Sequence, residues 1–196
     1  MTANCSKPVD PAVLSDYWIS RLHGPEEDAV EEHLMQCDTC GNRLRDVIAL
    51  AEGIRRLAHE GSIRMIVSEK LLSRAEEDGR TVRRYTTQPG GSVQCTVTAD
   101  DDFLIGRLAA DLRGVKRADL SICDGAGIEL LRLEDIPINA DSGSVILQES
   151  VTSAKAAPTN TMIMRLLSVE SSGDERQIGE YTFNHTRSIP DPRPGG

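Results

Sequence analysis

Within Glu31-Glu32-His33-Leu34-Met35-Gln36-Cys37-Asp38-Thr39-Cys40 an imidazole and two thiols follow one another as His-x3-Cys-x2-Cys. These are soft or borderline donors at short spacing, and zinc takes such a set in tetrahedral array. A CxxC pair alone is weak, since redox sites and chance produce it too. A histidine in phase with the pair strengthens the metal reading. Two buried thiols and a solvated histidine on an amphipathic helix would leave the same letters.

The helix expected to carry the motif opens at Gly24-Pro25-Glu26-Glu27. Proline fits the first turn, where no N–H is needed, and Glu26, Glu27 and Asp28 favour the positive helix end. Continued through Cys40, it places His33 and Cys37 four residues apart on one face, with Cys40 returning to that side. Gly41 is then expected to stop or kink it. A preceding helix is predicted over Pro11–Leu22, capped by Asp10, with Val13, Leu14, Tyr17 and Trp18 as its inner stripe and Trp18 as a core anchor.

Two further helices are expected. Arg43 to about Ala58 repeats Leu44, Val47, Ile48, Ala51, Ile54 and Leu57 at helical spacing, and Ser62–Glu77 repeats Ile63, Ile66, Val67, Leu71, Leu72 and Ala75. Beyond Gly79 the pattern changes to about eight short, Val- and Thr-rich runs punctuated by Pro89-Gly90-Gly91, Gly125-Ala126-Gly127, Asp141-Ser142-Gly143 and Ser171-Ser172-Gly173. That rhythm predicts strands. Leu104–Leu112 reads as strand or helix, with strand preferred, and Val151–Asn160 as a polar connection. The expected fold class is α+β: a small N-terminal helical bundle with the metal site over 1–79, an antiparallel β-sandwich or barrel-like domain over 80–186, and a Pro/Gly-rich disordered tail over 187–196.

Composition narrows the function classes. The 196 residues hold 3% aromatics, so the core is aliphatic, and a net charge of −9 disfavours a direct nucleic-acid binder and suits a basic partner. Five cysteines with no apolar leader fit a reducing, cytoplasmic setting. No window approaches the roughly 18 apolar residues of a membrane span.

Taken together, Leu14-Ser15-Asp16-Tyr17-Trp18, the Glu26-Glu27 opening and Val30-Glu31-Glu32-His33-Leu34 leading into Cys37-Asp38-Thr39-Cys40 resemble the zinc-binding anti-sigma factor family over roughly Val9 to Leu57. The resemblance implies a zinc cofactor and a non-enzymatic role in transcription regulation and stress response. It implies binding to an extracytoplasmic-function-type sigma factor, whose association with RNA polymerase is blocked until a signal, thiol oxidation being one candidate, releases it. The β-rich remainder would be a sensory domain of the soluble type. The family's fourth ligand usually stands near Lys7, and an ammonium cannot coordinate. Cys5 is the nearest replacement, with His23, Asp10 or a water as alternatives. The partner face implied is Ile63, Ile66, Val67 and Leu71 on the fourth helix. Two other readings remain open. One is a zinc-containing interaction module with another partner; the other is a metal-dependent cupin-like β-barrel enzyme, for which the region after Gly79 offers only His185. Cys95 and Cys123 read as buried core thiols, and His185 as a strand-end residue.

Overall fold

The computed structural model describes residues 5–187. The expected tail lies outside the described residues except at its first position, Arg187, which ends a strand. The chain divides into two compact units, 1–59 and 60–196.

The first unit is helical. Asp10 caps α1 (Pro11–Trp18) by accepting from the Ala12 N–H at 2.7 Å. The helix ends earlier than expected, because Ser20 adopts φ 58° and turns the chain. α2 spans Pro25–Gln36 and α3 spans Asp38–His59. Leu14, Leu22 and Val30 form the core, with Val13, Tyr17, Leu34, Leu44 and Val47 packed against it. Trp18 is half-buried rather than a core anchor, and the Arg55 guanidinium sits 5.6 Å above its ring, at cation–π distance.

In the second unit, the expected helix over Ser62–Glu77 is replaced by two elements. Met65–Ile66 forms a short strand, β1, and only Glu69–Glu77 is helical, as α4. Two causes are local. Ser68 is an N-cap whose hydroxyl accepts from the Leu71 N–H, starting the helix there. The β-branched residues before it pair with the sheet, where Val67 N–H donates to the Ile146 carbonyl at 2.9 Å. At the far end Gly79 adopts φ 76° and the Arg80 N–H donates to the Ala75 carbonyl at 2.9 Å, a left-handed helix stop that glycine permits. The division between units accordingly falls at His59/Glu60 and not at Gly79.

The strands follow as β2 (Val82–Thr87), β3 (Ser92–Val97), β4 (Phe103–Ala109), β5 (Ala118–Asp124), β6 (Glu129–Leu133), β7 (Ser144–Glu149), β8 (Asn160–Val169) and β9 (Glu175–Arg187). They form a four-stranded sheet, β1-β7-β4-β2, and a five-stranded sheet, β3-β9-β8-β5-β6. The expectation of a wholly antiparallel arrangement is corrected: β2 pairs with β4, and β3 with β9, in parallel. Pro89-Gly90-Gly91 does not close a hairpin, since it passes the chain from one sheet to the other. Among the described residues no closed barrel forms. The Val151–Asn160 connection contains one short helix, α5 (Val151–Ala156).

Both sheets contribute to one core, which includes Leu108 and Leu147 from the first and Leu120, Leu166, Tyr181 and Phe183 from the second. Two tyrosines tie the sheets by hydrogen bonds. Tyr85 donates to the Thr96 carbonyl at 2.6 Å and Tyr181 to the Ala109 carbonyl at 2.6 Å. On the outer side of the first sheet, Leu72 and Ala75 of α4, with Val67, pack on Phe103, Ile105 and Ile146. β4 is therefore covered on both faces, which accounts for the mostly apolar run, broken only by Arg107, that made its type ambiguous.

Candidate metal centre

Four donors converge in the helical unit: Cys5, His33, Cys37 and Cys40, whose ligand atoms all lie within 4.8 Å of one another. Cys5 Sγ is 3.5 Å from His33 Nε2, His33 Nε2 is 3.2 Å from Cys40 Sγ, and Cys40 Sγ is 3.9 Å from Cys5 Sγ. A tetrahedral ion with Zn–S near 2.3 Å and Zn–N near 2.05 Å requires S···S edges of about 3.8 Å and N···S edges of about 3.6 Å. Two of the three separations meet that test closely and the third is slightly short. The His/Cys3 set can hold a metal such as zinc.

The positioning differs from the expected single helical face. α2 stops at Gln36, and Cys37 is its C-cap, in extended conformation at φ −132° and ψ 97°. Asp38 then opens α3, so Cys40 lies in the first turn of the next helix. Gly41 lies inside α3, where its N–H donates to the Cys37 carbonyl at 3.0 Å. The break is chemically useful. It turns the Cys40 N–H toward the Cys37 sulfur, the first cause of a thiol held down to about 7, with hydrogen bonds from Cys5, Cys40 and His33 adding to it against desolvation. Cys5 moves the other way: an N–H bond from Lys7 lowers it, but desolvation and the neighbouring thiols Cys37 and Cys40 carry the net shift upward. Crowded thiols resist joint ionisation, and a divalent cation, if bound, would supply the charge that removes the conflict.

Among the alternatives for the fourth position, Cys5 is the residue brought to the cluster; His23 and Asp10 are not members of it. Cys40 is fully buried, while Cys5, Cys37 and His33 are half-buried. The residues expected to form a partner face lie elsewhere. Ile63 and Ile66 are half-buried, Ile66 against the main β core, and Val67 is buried beneath α4. Leu71 is 37% exposed. Reading by periodicity alone missed a different surface: Leu50, Ile54 and Leu57, at i, i+4 and i+7 of α3, are 66%, 51% and 44% exposed. Ile54 and Leu57 belong to the apolar repeat read in the sequence and Leu50 does not, and the repeat does not show that the helix outruns the small core beneath it. In the second unit Cys95, Cys123 and His185 are all buried.

No family model matches the chain, and no curated protein matches it. The resemblance noted above therefore stands on its motif residues. Similar solved structures include the crystal structure of CopC from Methylosinus trichosporium OB3b, at 10% identity, covering 65% of this chain and 98% of that one with a TM-score of 0.28. Another is the N-terminal domain of phage TP901-1 ORF48, at 10% identity, covering 55% of this chain and 99% of that one with a TM-score of 0.35. At these scores neither likeness bears on function.

Proposed function

We propose that the chain is an anti-sigma factor whose helical unit, closed by zinc, binds an extracytoplasmic-function-type sigma factor and keeps it from RNA polymerase. The observation that carries this reading is the completion of the motif by Cys5. The tetrad supports the reading because it could hold a metal ion, although Lys7 stands where the family's fourth ligand is usual. Zinc in this site would act as a cross-link, joining the N-terminal segment, the end of α2 and the start of α3. The sigma-binding surface shifts from the expected Ile63–Leu71 segment to α3. An apolar ridge of Leu50, Ile54 and Leu57 on a helix longer than its own core suits helix-in-groove docking. The second unit, a sandwich of two sheets, is the sensory half of this reading, and the setting is the cytoplasm.

Co-expression with each sigma factor of the source genome, followed by isolation and metal analysis, tests the proposal. The expected product is a stoichiometric, zinc-containing complex that fails to support transcription when core polymerase is added. Absence of any sigma factor from the isolated material rejects it.

A further inference from the structure

The second unit holds a cavity of about 210 Å³, lined from both sheets and from α5. Its lining grades along the strands. Register pairs Asn160 with His185, then Met162 with Phe183, then Met164 with Tyr181. Exposure falls in that order along β8, from exposed Asn160 through half-buried Met162 to buried Met164. In the other sheet the lining passes along β7 from Glu149 to the fully buried Leu147. A polar mouth with Arg64, Glu149, Ser153 and Asn160 thus leads to an apolar floor, the usual division of labour in a small-molecule site.

Gly106 lines the same cavity from the middle of β4. It pairs in unbroken register with Tyr85 on one side and Leu147 on the other, and its φ is not positive. Neither a bulge nor a turn therefore demands glycine there. A Cβ at this position would meet the Phe183 ring at 3.4 and 3.7 Å, which is ordinary contact, and no backbone of another segment presses on it among the described residues. Glycine inside a strand weakens it, and of the usual reasons for its presence the close approach of a ligand is the one left. Met162 and Met164, in the other sheet, are unbranched and adapt their shape to an occupant.

The mouth selects the head group of that ligand. Arg64 Nε lies 2.9 and 2.8 Å from the two Glu149 oxygens, and its Nη2 lies 2.6 Å from Oε1, so the two charges cancel. A carboxylate head would stand beside the buried Glu149, and an ammonium beside the guanidinium. Like-charge contacts of either kind cost affinity. Hydrogen-bond donors, by contrast, are in supply. Arginine, serine and asparagine side chains all donate, and Arg64 Nη1 has no acceptor among the described residues.

We propose that this cavity binds an uncharged, ring-sized molecule carrying one acceptor oxygen, of the aryl ketone or amide class. The ring occupies the space that Gly106 leaves beside Phe183, Met162 and Met164, and the oxygen lies at the mouth among Arg64, Ser153 and Asn160. An apolar cavity of ~150 Å³ holds a benzene ring, so this one has room for a ring and a short head. Binding is confined to the second unit, and the assignment stands or falls apart from the sigma-factor reading of the first.

The test uses the full chain with its methionines labelled on the methyl carbon, titrated with acetophenone while the Met162 and Met164 resonances are followed. Benzoate and benzylammonium carry the same ring with a charged head, and ethylbenzene carries it with none. Saturable shifts at both methionines are expected, with acetophenone binding at least tenfold more tightly than either ion. It should also bind no more weakly than ethylbenzene, although water retains the ketone better. Gly106→Val, which fills the space, is expected to keep the thermal midpoint at or above that of the wild type and to lose the acetophenone shifts. No saturable shift, a smaller preference over either ion, tighter binding of ethylbenzene, or a folded valine variant of wild-type affinity overturns the proposal. The wild-type comparisons decide even if the variant does not fold.

Discussion

Cys5 is the residue on which the metal centre turns. It lies on a non-helical segment, yet its sulfur is 3.5 Å from His33 Nε2 and 3.9 Å from the Cys40 sulfur. Cys5→Ser should therefore weaken zinc binding by more than the roughly 10–100-fold typical of losing an outer-shell partner, measured by competition with a chromophoric chelator. His23→Ala should leave the affinity unchanged. Equal affinities for the Cys5 variant and the wild type would remove Cys5 from the ligand set. His33, Cys37 and Cys40 are legible as ligands in the sequence because local spacing nearly fixes their proximity. Cys5 is legible only as one candidate beside His23, Asp10 or a water, since its approach depends on the path of the chain before α1. Even the local part succeeds by a different geometry from the one periodicity implies: the Cys37 break, not a continuous face, presents the pair of sulfurs.

At the scale of elements, the contrast between α3 and α4 separates binding from folding. Val67, Leu72 and Ala75 are buried against Phe103, Ile105 and Ile146, whereas Leu50, Ile54 and Leu57 face outward on α3. Leu50→Asp should change stability by no more than about 0.5 kcal/mol, as exposed substitutions usually do, but weaken sigma binding at least tenfold if the ridge is the docking face. Val67→Asp should instead destabilise the second unit by roughly 3 kcal/mol or more, because it buries an unpaired charge. Thermal unfolding and sigma titration of the two variants check both statements; a Leu50 variant that binds normally would exclude the ridge. The strand series was readable because period-two runs and turn residues are local signals. Parallel pairing of β2 with β4 and of β3 with β9 was not, because register between distant segments leaves no trace in either one. The same limit hid α4's fate: an amphipathic stripe shows that a helix will be covered, not by what.

At the scale of the whole molecule, the two units differ in what holds them together. The first has a core of three buried aliphatic residues, Leu14, Leu22 and Val30, in a segment of the size at which apolar burial alone is marginal. The second has a core drawn from both sheets, pinned by the Tyr85 and Tyr181 hydrogen bonds. In small zinc modules the ion contributes an apparent ~10–16 kcal/mol to folding, which here would exceed anything so small a core supplies. Removing zinc with a strong chelator under reducing conditions should consequently melt the first unit alone. Hydrogen exchange read by mass spectrometry is expected to show loss of amide protection in α1, α2 and α3, while β4, β5, β7 and β8 keep theirs. Restoring zinc should restore the helical protection without touching the sheets. Helices that stay protected after metal analysis confirms a zinc-free chain would mean that the four donors are ornaments of a self-sufficient bundle, and a zinc cross-link could then no longer be what shapes the sigma-binding surface.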